Sequence, residues 1–371
     1  MANVQKAIVL GGTIPHIELI KNLKQRGYHV ILVDYSQDPI ARPFADEHII
    51  ESSMDKDKVL EIAKEENAGL VITTCSDQAN VTACFVSEKL GLPAPYSYAT
   101  SLNVTDKERM KTIMLNNKIP TSKYIIFEGT QLEDKIDGFS FPMIVKPSDS
   151  YGSKGVRVVN TKKELIPNLE NAIYISRNGR ALLEEYKVGT EVGIDCFVKN
   201  KKAEIILTKH RQKVVNNEDL TQQIFGCIWP ADISKMQLDT IQVIANKIVS
   251  AFDLDNTPLM IQAIINDKEI SVIEFGARIG GGNSYSIIKL STGLDIVDAA
   301  VDSFLNRNME IKYHAPTEYY ADVFLYIKPS IFGHIEIADK LVDSYVCYKT
   351  KGFSVGSDLI SSNRVGSLIV K

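Results

Sequence analysis

Between Pro258 and Arg278 the chain runs through two apolar stretches joined by the polar turn Asn266–Glu269, the pattern of a β-hairpin. Strand side chains alternate, so Gln262, Val272, Glu274, Gly276 and Arg278 can share one face. Ile261, Ala263, Ile265, Ile273, Phe275 and Ala277 then take the other, which must be core. If the loop is Asp267-Lys268-Glu269, Gln262 sits opposite Glu274. The second face then presents a carboxylate, an amide and a guanidinium together, where an unpaired charge would be expensive. Oxygen donors of this kind suit magnesium held partly by the phosphates of a nucleotide. The plainer reading is a structural ion pair between Glu274 and Arg278. Gly280-Gly281-Gly282 follows directly, a loop that lets backbone approach a ligand closely.

The first hundred residues read differently. Apolar runs at Lys6–Leu10, Val30–Asp34 and Leu70–Thr74 alternate with amphipathic stretches at Ile17–Gln25 and Asp77–Leu90, a βαβ order that calls for a parallel sheet covered by helices. Gly27 stands where a helix C-cap belongs. The run Ala7–Leu10 ends at two glycines and is too short for a signal peptide or a membrane span, so it reads as a first buried strand. Leu92-Pro93-Ala94-Pro95 breaks the periodicity and marks a boundary shortly after it. Thr105 and Glu108 then have the spacing of a capping box ahead of an apolar stripe at Met110, Ile113 and Met114, which puts Lys107 in a first helical turn. Strands and hairpins are expected from Phe141 to Val198, with a further strand at Ala203–Thr208. A long helix between Lys235 and Phe252 should bury Leu238, Ile241, Ile244, Ala245, Ile248, Val249 and Phe252. The last sixty or so residues look strand-rich.

Two more stretches can carry chemistry. Phe141–Val159 is a strand ending at Lys146, a small polar loop with Ser150, Gly152, Ser153 and Gly155, and another strand. A Walker loop leads into a helix and this one does not, but its amides could wrap phosphates as a flap while Lys146 adds a point charge. An ordinary Gly/Ser-rich hairpin loop is the competing reading. In Ala181–Asp195 a turn at Gly189 places Glu184 and Glu191 on either side of a bend, where they could meet a ribose or an adenine amine or be solvated strand-end charges. His210 and Arg211 lie at the end of the strand expected beneath the nucleotide, where either could meet a substrate or a phosphate, and His16, after the first strand, could border the acceptor site. A structural role competes at each.

Taken in order from Lys6 to Ile296, these pieces resemble the ATP-grasp superfamily, in the manner of L-amino acid ligases and carbamoyl phosphate synthetase-like members. The resemblance implies an α/β chain: a Rossmann-like pre-ATP-grasp domain followed by a two-lobed α+β ATP-grasp module. It divides the sequence into a pre-ATP-grasp domain at 1–103, a small lid subdomain at 104–187, a large subdomain with the metal site at 188–310 and a strand-rich continuation of that subdomain at 311–371. Lys107 and Lys146 look like the two phosphate-binding lysines, and Ser148–Gly155, with Ser153 and Gly155, resembles the lid loop. Glu184, Glu185, Tyr186 and Val188 fit the linker that receives adenine, and Glu191 matches the ribose-binding acid. Gln262 and Glu274 look like the magnesium ligands, and Arg278 resembles the arginine that steadies the acyl-phosphate transition state. Gly276 stands where the family usually has Asn, which puts a second metal in question. Gly11-Gly12-Thr13, Asp34 and Ala41–Asp46 resemble the pre-ATP-grasp domain, and a GxGxxG is missing, which argues against a nicotinamide enzyme.

The implied function is an ATP- and Mg²⁺- (or Mn²⁺-) dependent ligase that joins a small-molecule carboxylate to an amine through an acyl phosphate, releasing ADP and phosphate. Activation of bicarbonate, as in carbamoyl-phosphate synthesis or biotin carboxylation, and a regulatory protein that holds ATP without turning it over are the alternatives. A net charge of -4 over 371 residues without a dense Lys/Arg run argues against nucleic acid, and no membrane segment is expected. Five cysteines without a CxxC pair fit reduced thiols in a cytoplasm. A homodimer is expected by analogy alone.

Overall fold

The computed structural model describes residues 4–129, 136–149, 155–215, 222–308, 310–337, 342–349, 351–356 and 363–371. The N-terminal region is a parallel sheet of β1 (Lys6–Leu10), β2 (His29–Asp34), β3 (Glu47–Ile50) and β4 (Leu70–Ile72) in the order β3-β2-β1-β4. Helix α1 (Ile14–Gln25) connects β1 to β2, α2 (Lys56–Glu65) connects β3 to β4, and α3 (Asp77–Leu90) follows β4. Ala7–Leu10 are fully buried, as expected of parallel strands covered on both faces. Thr13 caps α1, Asp55 accepts two amides at the start of α2, and Ser76 accepts the Ala79 amide at the start of α3. Asp34 at the end of β2 accepts the Gly12 amide at 2.7 Å, which fixes the first turn of the glycine pair.

Helices α4 (Tyr98–Asn103) and α5 (Lys107–Asn116) lead into a small antiparallel sheet. Asp106, rather than Thr105, caps α5 by accepting the Arg109 amide at 2.9 Å, so Lys107 is the first helical residue. The small sheet holds β5 (Tyr124–Phe127), β6 (Met143–Pro147), β7 (Arg157–Val159) and β8 (Ala181–Glu185) in the order β5-β8-β6-β7. One element here departs from the sequence reading. Residues 162–175 form helix α6 (Lys162–Ile175), not another hairpin, and Leu165, Leu169 and Ala172 pack it against Val145 and Leu183. The missed signal is Thr161 three residues before Glu164, the spacing that starts a helix.

The third unit is an eight-stranded antiparallel sheet, formed by β9 (Thr190–Lys199), β10 (Lys202–Val215), β11 (Gln222–Trp229), β12 (Thr257–Ile265), β13 (Ile270–Gly276), β14 (Tyr320–Leu325), β16 (Val342–Cys347) and β18 (Gly366–Val370). Its order is β13-β12-β9-β10-β11-β14-β18-β16, so the strands after residue 311 extend the large sheet; β15 (Ser330–Ile331) and β17 (Ser354–Val355) pair separately. Helix α7 (Lys235–Ala251) covers one face through Ile241, Ile244, Ala245, Ile248 and Val249. Leu238, expected on that buried face, is 37% exposed. Helices α8 (Ser284–Thr292) and α9 (Ile296–Phe304) lie on the opposite face and meet the N-terminal unit, where Arg26 pairs with Asp298 and Asp302 at 2.5 Å each.

The hairpin β12–β13 has one irregularity that the even alternation of the sequence does not reveal. Gln262 pairs with Glu274 as expected, but Ala263 pairs with Val272, leaving Ile273 as a β-bulge. The loop is therefore Asn266–Glu269, one residue longer than a three-residue turn, and the bulge absorbs the difference. Val272 consequently joins the core beside Ile261 and Ala263 instead of sharing the face of Glu274. Among the described residues, no helix is long and apolar enough to cross a membrane.

Because Ile248 is fully buried between α7 and the sheet, Ile248→Ala should cost about 2–5 kcal/mol, read as a lower urea midpoint with an unchanged slope.

Candidate active site

Register places the charged residues of the large sheet in rows on one face. Val192 and Ile194 of β9 point toward α7, so Glu191, Gly193 and Asp195 point the other way. Lys209 pairs across from Gly193, Gln262 flanks Gly193 from β12, and Glu274 lies opposite Gln262. Glu191, 7% exposed, is held between Arg211 Nε at 2.7 Å and Lys213. Asp195 receives Lys209 Nζ at 2.9 Å, and the same ammonium donates to Ser284 Oγ at 2.7 Å at the start of α8. Lys209 thus ties the sheet to the helix that follows the glycine loop.

Glu274 keeps 36% of its side chain exposed and has Lys107 Nζ at 3.9 Å. Burial pushes its carboxyl up, but Lys107, Lys146, Arg211 and Arg278 outweigh that and hold it below the usual carboxylate range. Arg278 does not pair with Glu274. Its Nε and Nη2 reach Asp77 at 2.8 and 2.6 Å, a two-pronged bond to the first residue of α3. The same pair explains Gly276: a Cβ there would lie 2.8 Å from Asp77 Oδ1 and 3.2 Å from the Arg278 guanidinium, so the space of a larger side chain is already filled.

The small sheet supplies the opposite wall. Glu184 pairs across from Ile144, on the face that also carries Lys146, while Met143, Val145 and Leu183 face α6. Glu184, 4% exposed, lies 2.6 Å from Lys146 Nζ and 3.4 Å from Lys111 Nζ, and Ser122 Oγ donates to it at 3.0 Å. Burial raises its pKa, but the two ammonium groups prevail and pull it down to about 2. It is no solvated strand-end charge.

Not every residue singled out in the sequence reaches this site. His210 pairs across from Val192, on the α7 side of the sheet, and its Nε2 accepts the Asp232 amide at 2.9 Å. The alternation that brings Lys209 and Arg211 to the charged face turns His210 away from it. Glu185 belongs to the α6 face, and its side chain is 3.1 Å from Lys187. Val188 is 72% exposed, and its carbonyl accepts Asn266 Nδ2 at 2.8 Å. Tyr186 borders a surface cavity of about 240 Å³ with Lys123, Phe139 and Glu185. Gly155 is buried with φ +76°, where a Cβ would lie 2.8 Å from Pro147 Cγ. Ser153 and most of the lid loop lie outside the described residues. His16 is buried; Thr13 donates its amide to Nδ1 at 3.2 Å, burial lowers the imidazole to about 4, and the ring serves the start of α1.

Sequence reasoning missed Lys111, Asp77, Asp195 and Lys209. Lys111 had a signal: it adjoins Met110 and precedes Met114 by three positions, at the edge of an apolar stripe. Asp77 and Arg278 are two hundred residues apart, and no local pattern joins them.

The two sheets and α5 thus bring Lys107, Lys111, Lys146, Arg211 and Lys213 together with Glu184, Glu191 and Glu274. Residues 139–286 match the family described as an ATP-grasp domain. Over 348 residues it is 25% identical to phosphoribosylamine–glycine ligase of Thermococcus gammatolerans, covering 85% of this chain and 77% of that one. It is 22% identical over 345 residues to the carbamoyl phosphate synthase large chain of a Thermoanaerobacter species, covering 91% of this chain but spanning only 31% of that relative's length. In structure it is similar to an L-amino acid ligase from Bacillus licheniformis, with a TM-score of 0.80, 19% identity and coverage of 99% and 93% of the two chains.

Beside the glycine loop, Asn283 sends Nδ2 to Asp322 Oδ1 at 3.2 Å and to Ser367 Oγ at 2.6 Å instead of capping α8. Burial pushes Asp322 up to about 6 despite these bonds. A carboxyl with a raised folded pKa binds more protons folded than unfolded between about pH 4 and 6, so stability falls as pH rises through that window. Asp322→Asn removes this loss: its gain in thermal midpoint should be larger at pH 7.5 than at pH 5, with a ceiling of about 3 kcal/mol.

Proposed function

We propose that this protein is an ATP-dependent carboxylate–amine ligase that works through an acyl phosphate and releases ADP and phosphate. The observation that carries the reading is the meeting of Lys107, from the start of α5, with Gln262 and Glu274 on one face of the large sheet and with Lys146 on the facing wall. Such a set suits a triphosphate: cations for its oxygens, and an acid with an amide for the ion that travels with it. Glu274 and Gln262 are hard oxygen donors on adjacent strands, so they fit magnesium and would hold it there. When bound, that ion offsets phosphate charge.

In this reading a carboxylate oxygen of the first substrate attacks the γ-phosphorus, and the bond from that phosphorus to the β–γ bridging oxygen breaks with its electron pair leaving on ADP. Lys146 and Lys107 hold the phosphates in line and disperse the charge on the transferring group. Arg278 is fixed in orientation by Asp77 and presents its remaining edge to the developing acyl phosphate. The amine nitrogen then attacks the acyl carbon, the carbon–oxygen bond to phosphate breaks, and the amine loses a proton. Glu191 is poised for the ribose once Arg211 or Lys213 yields a bond to it. The substrates are a small acid and a small amine. The bicarbonate-activating relatives share the fold, and inclusion of bicarbonate among the acids tests that chemistry directly.

Lys146→Ala and Glu274→Ala should each lower ADP release at least a hundredfold in a phosphate-release screen with MgATP and pooled acids and amines, with circular dichroism unchanged. Wild-type turnover by the Glu274 variant refutes the metal assignment, and mass determination of the product identifies the amide.

A further inference from the structure

Lys111 is a buried cation behind Glu184. It projects from α5, is 1% exposed, and donates to Thr121 Oγ1 at 2.6 Å and Ser122 Oγ at 3.0 Å. Ser122 Oγ donates in turn to Glu184, and Thr121 Oγ1 donates to the Val272 carbonyl at 2.7 Å. That carbonyl belongs to the residue before the bulge, two positions from Glu274. One ammonium therefore touches the lid wall through Glu184 and braces the metal hairpin through Thr121.

From this we infer that Lys111 is a positioning residue, the standing counter-ion of Glu184 that leaves Lys146 available to the phosphates of the nucleotide; the inference rests on the nucleotide reading above. Glu184 Oε1 is shared by Lys146 at 2.6 Å and Lys111 at 3.4 Å, yet accepts no well-angled hydrogen bond from a described residue. Two ammonium groups thus face one carboxylate in a nearly dry environment. If Lys146 were the sole partner, any movement toward a phosphate would strip the counter-ion from a buried carboxylate, a strongly unfavourable change. With Lys111 in place the carboxylate stays compensated, and the surplus positive charge falls on the residue nearest the cleft. Burial lowers Lys111 to about 8 while Glu184 opposes the fall, so the group still carries its charge at neutral pH.

The test is calorimetric titration of the full chain with the magnesium complex of a non-hydrolysable ATP analogue. Lys111→Met keeps the bulk and removes the charge, and should weaken binding at least tenfold. Adding Glu184→Gln to it takes away the carboxylate that captures Lys146, and should restore most of the lost affinity. A role in packing alone predicts no such recovery. Thr121→Val, a milder change that removes the hydroxyl holding the ammonium, should weaken binding at least threefold and stands in if Lys111→Met does not fold. Binding by Lys111→Met within twofold of wild type, or a double variant no better than the single, overturns the inference. Unchanged binding by Thr121→Val does the same in the second case. Failure of the wild-type chain itself to bind the analogue sinks the nucleotide reading and this inference together.

Discussion

Side-chain alternation on β9, β10, β12 and β13 is the constraint on which the rest of the molecule depends. One face of the large sheet must be apolar to hold α7, and Val192, Ile194, Ile261, Ala263, Val272 and Phe275 supply it. Every second residue then points into a region enclosed by the small sheet and the N-terminal unit. There the chain places Glu191, Asp195, Lys209, Arg211, Gln262 and Glu274, side chains that a core would reject. Burial forces them to pair. Pairing fixes their positions more narrowly than strand geometry alone could, because each charge that moved would leave another exposed to an apolar medium.

The pairs are uneven, and that unevenness is what makes the cleft receptive to anions. Glu184 has two ammonium partners, Glu191 has a guanidinium and an ammonium, and Glu274 sits in the field of four cations. A polyphosphate entering such a space adds the negative charge that the protein lacks. The same surplus of positive charge keeps Glu274 ionised, which a hard cation needs of its ligand.

How much of this was legible in the sequence follows from the range of each signal. The pairing of Gln262 with Glu274 is short-range and periodic, so the hairpin pattern gave it directly. The bulge at Ile273 lay beyond that pattern, because a four-residue loop and an extra strand residue offset each other and leave Gln262 opposite Glu274 either way. Helix α6 was hidden by the expectation of hairpins, although Thr161 and Glu164 announced it. His210 misled because sequence proximity to Arg211 says nothing about face; one step along a strand reverses the direction of the side chain. Lys111 and Asp77 act through partners from other elements, Glu184 and Arg278, and only tertiary structure brings those charges together.

The pair between Asp77 and Arg278 also shows why the N-terminal unit cannot be a passive appendage of the cleft. Asp77 opens α3, so its carboxylate already lies at the positive end of a helix dipole. Arg278 leaves β13 four residues after Glu274 and immediately precedes Ile279 and the glycine loop. The bond therefore joins the start of one unit's helix to the segment that leaves β13 in the other, and Tyr96 adds a second tie by donating to the Ala277 carbonyl at 2.9 Å. The two units are held together through a charge pair whose guanidinium is fixed a second time, because Arg278 Nη1 donates to the Ile279 carbonyl at 3.0 Å.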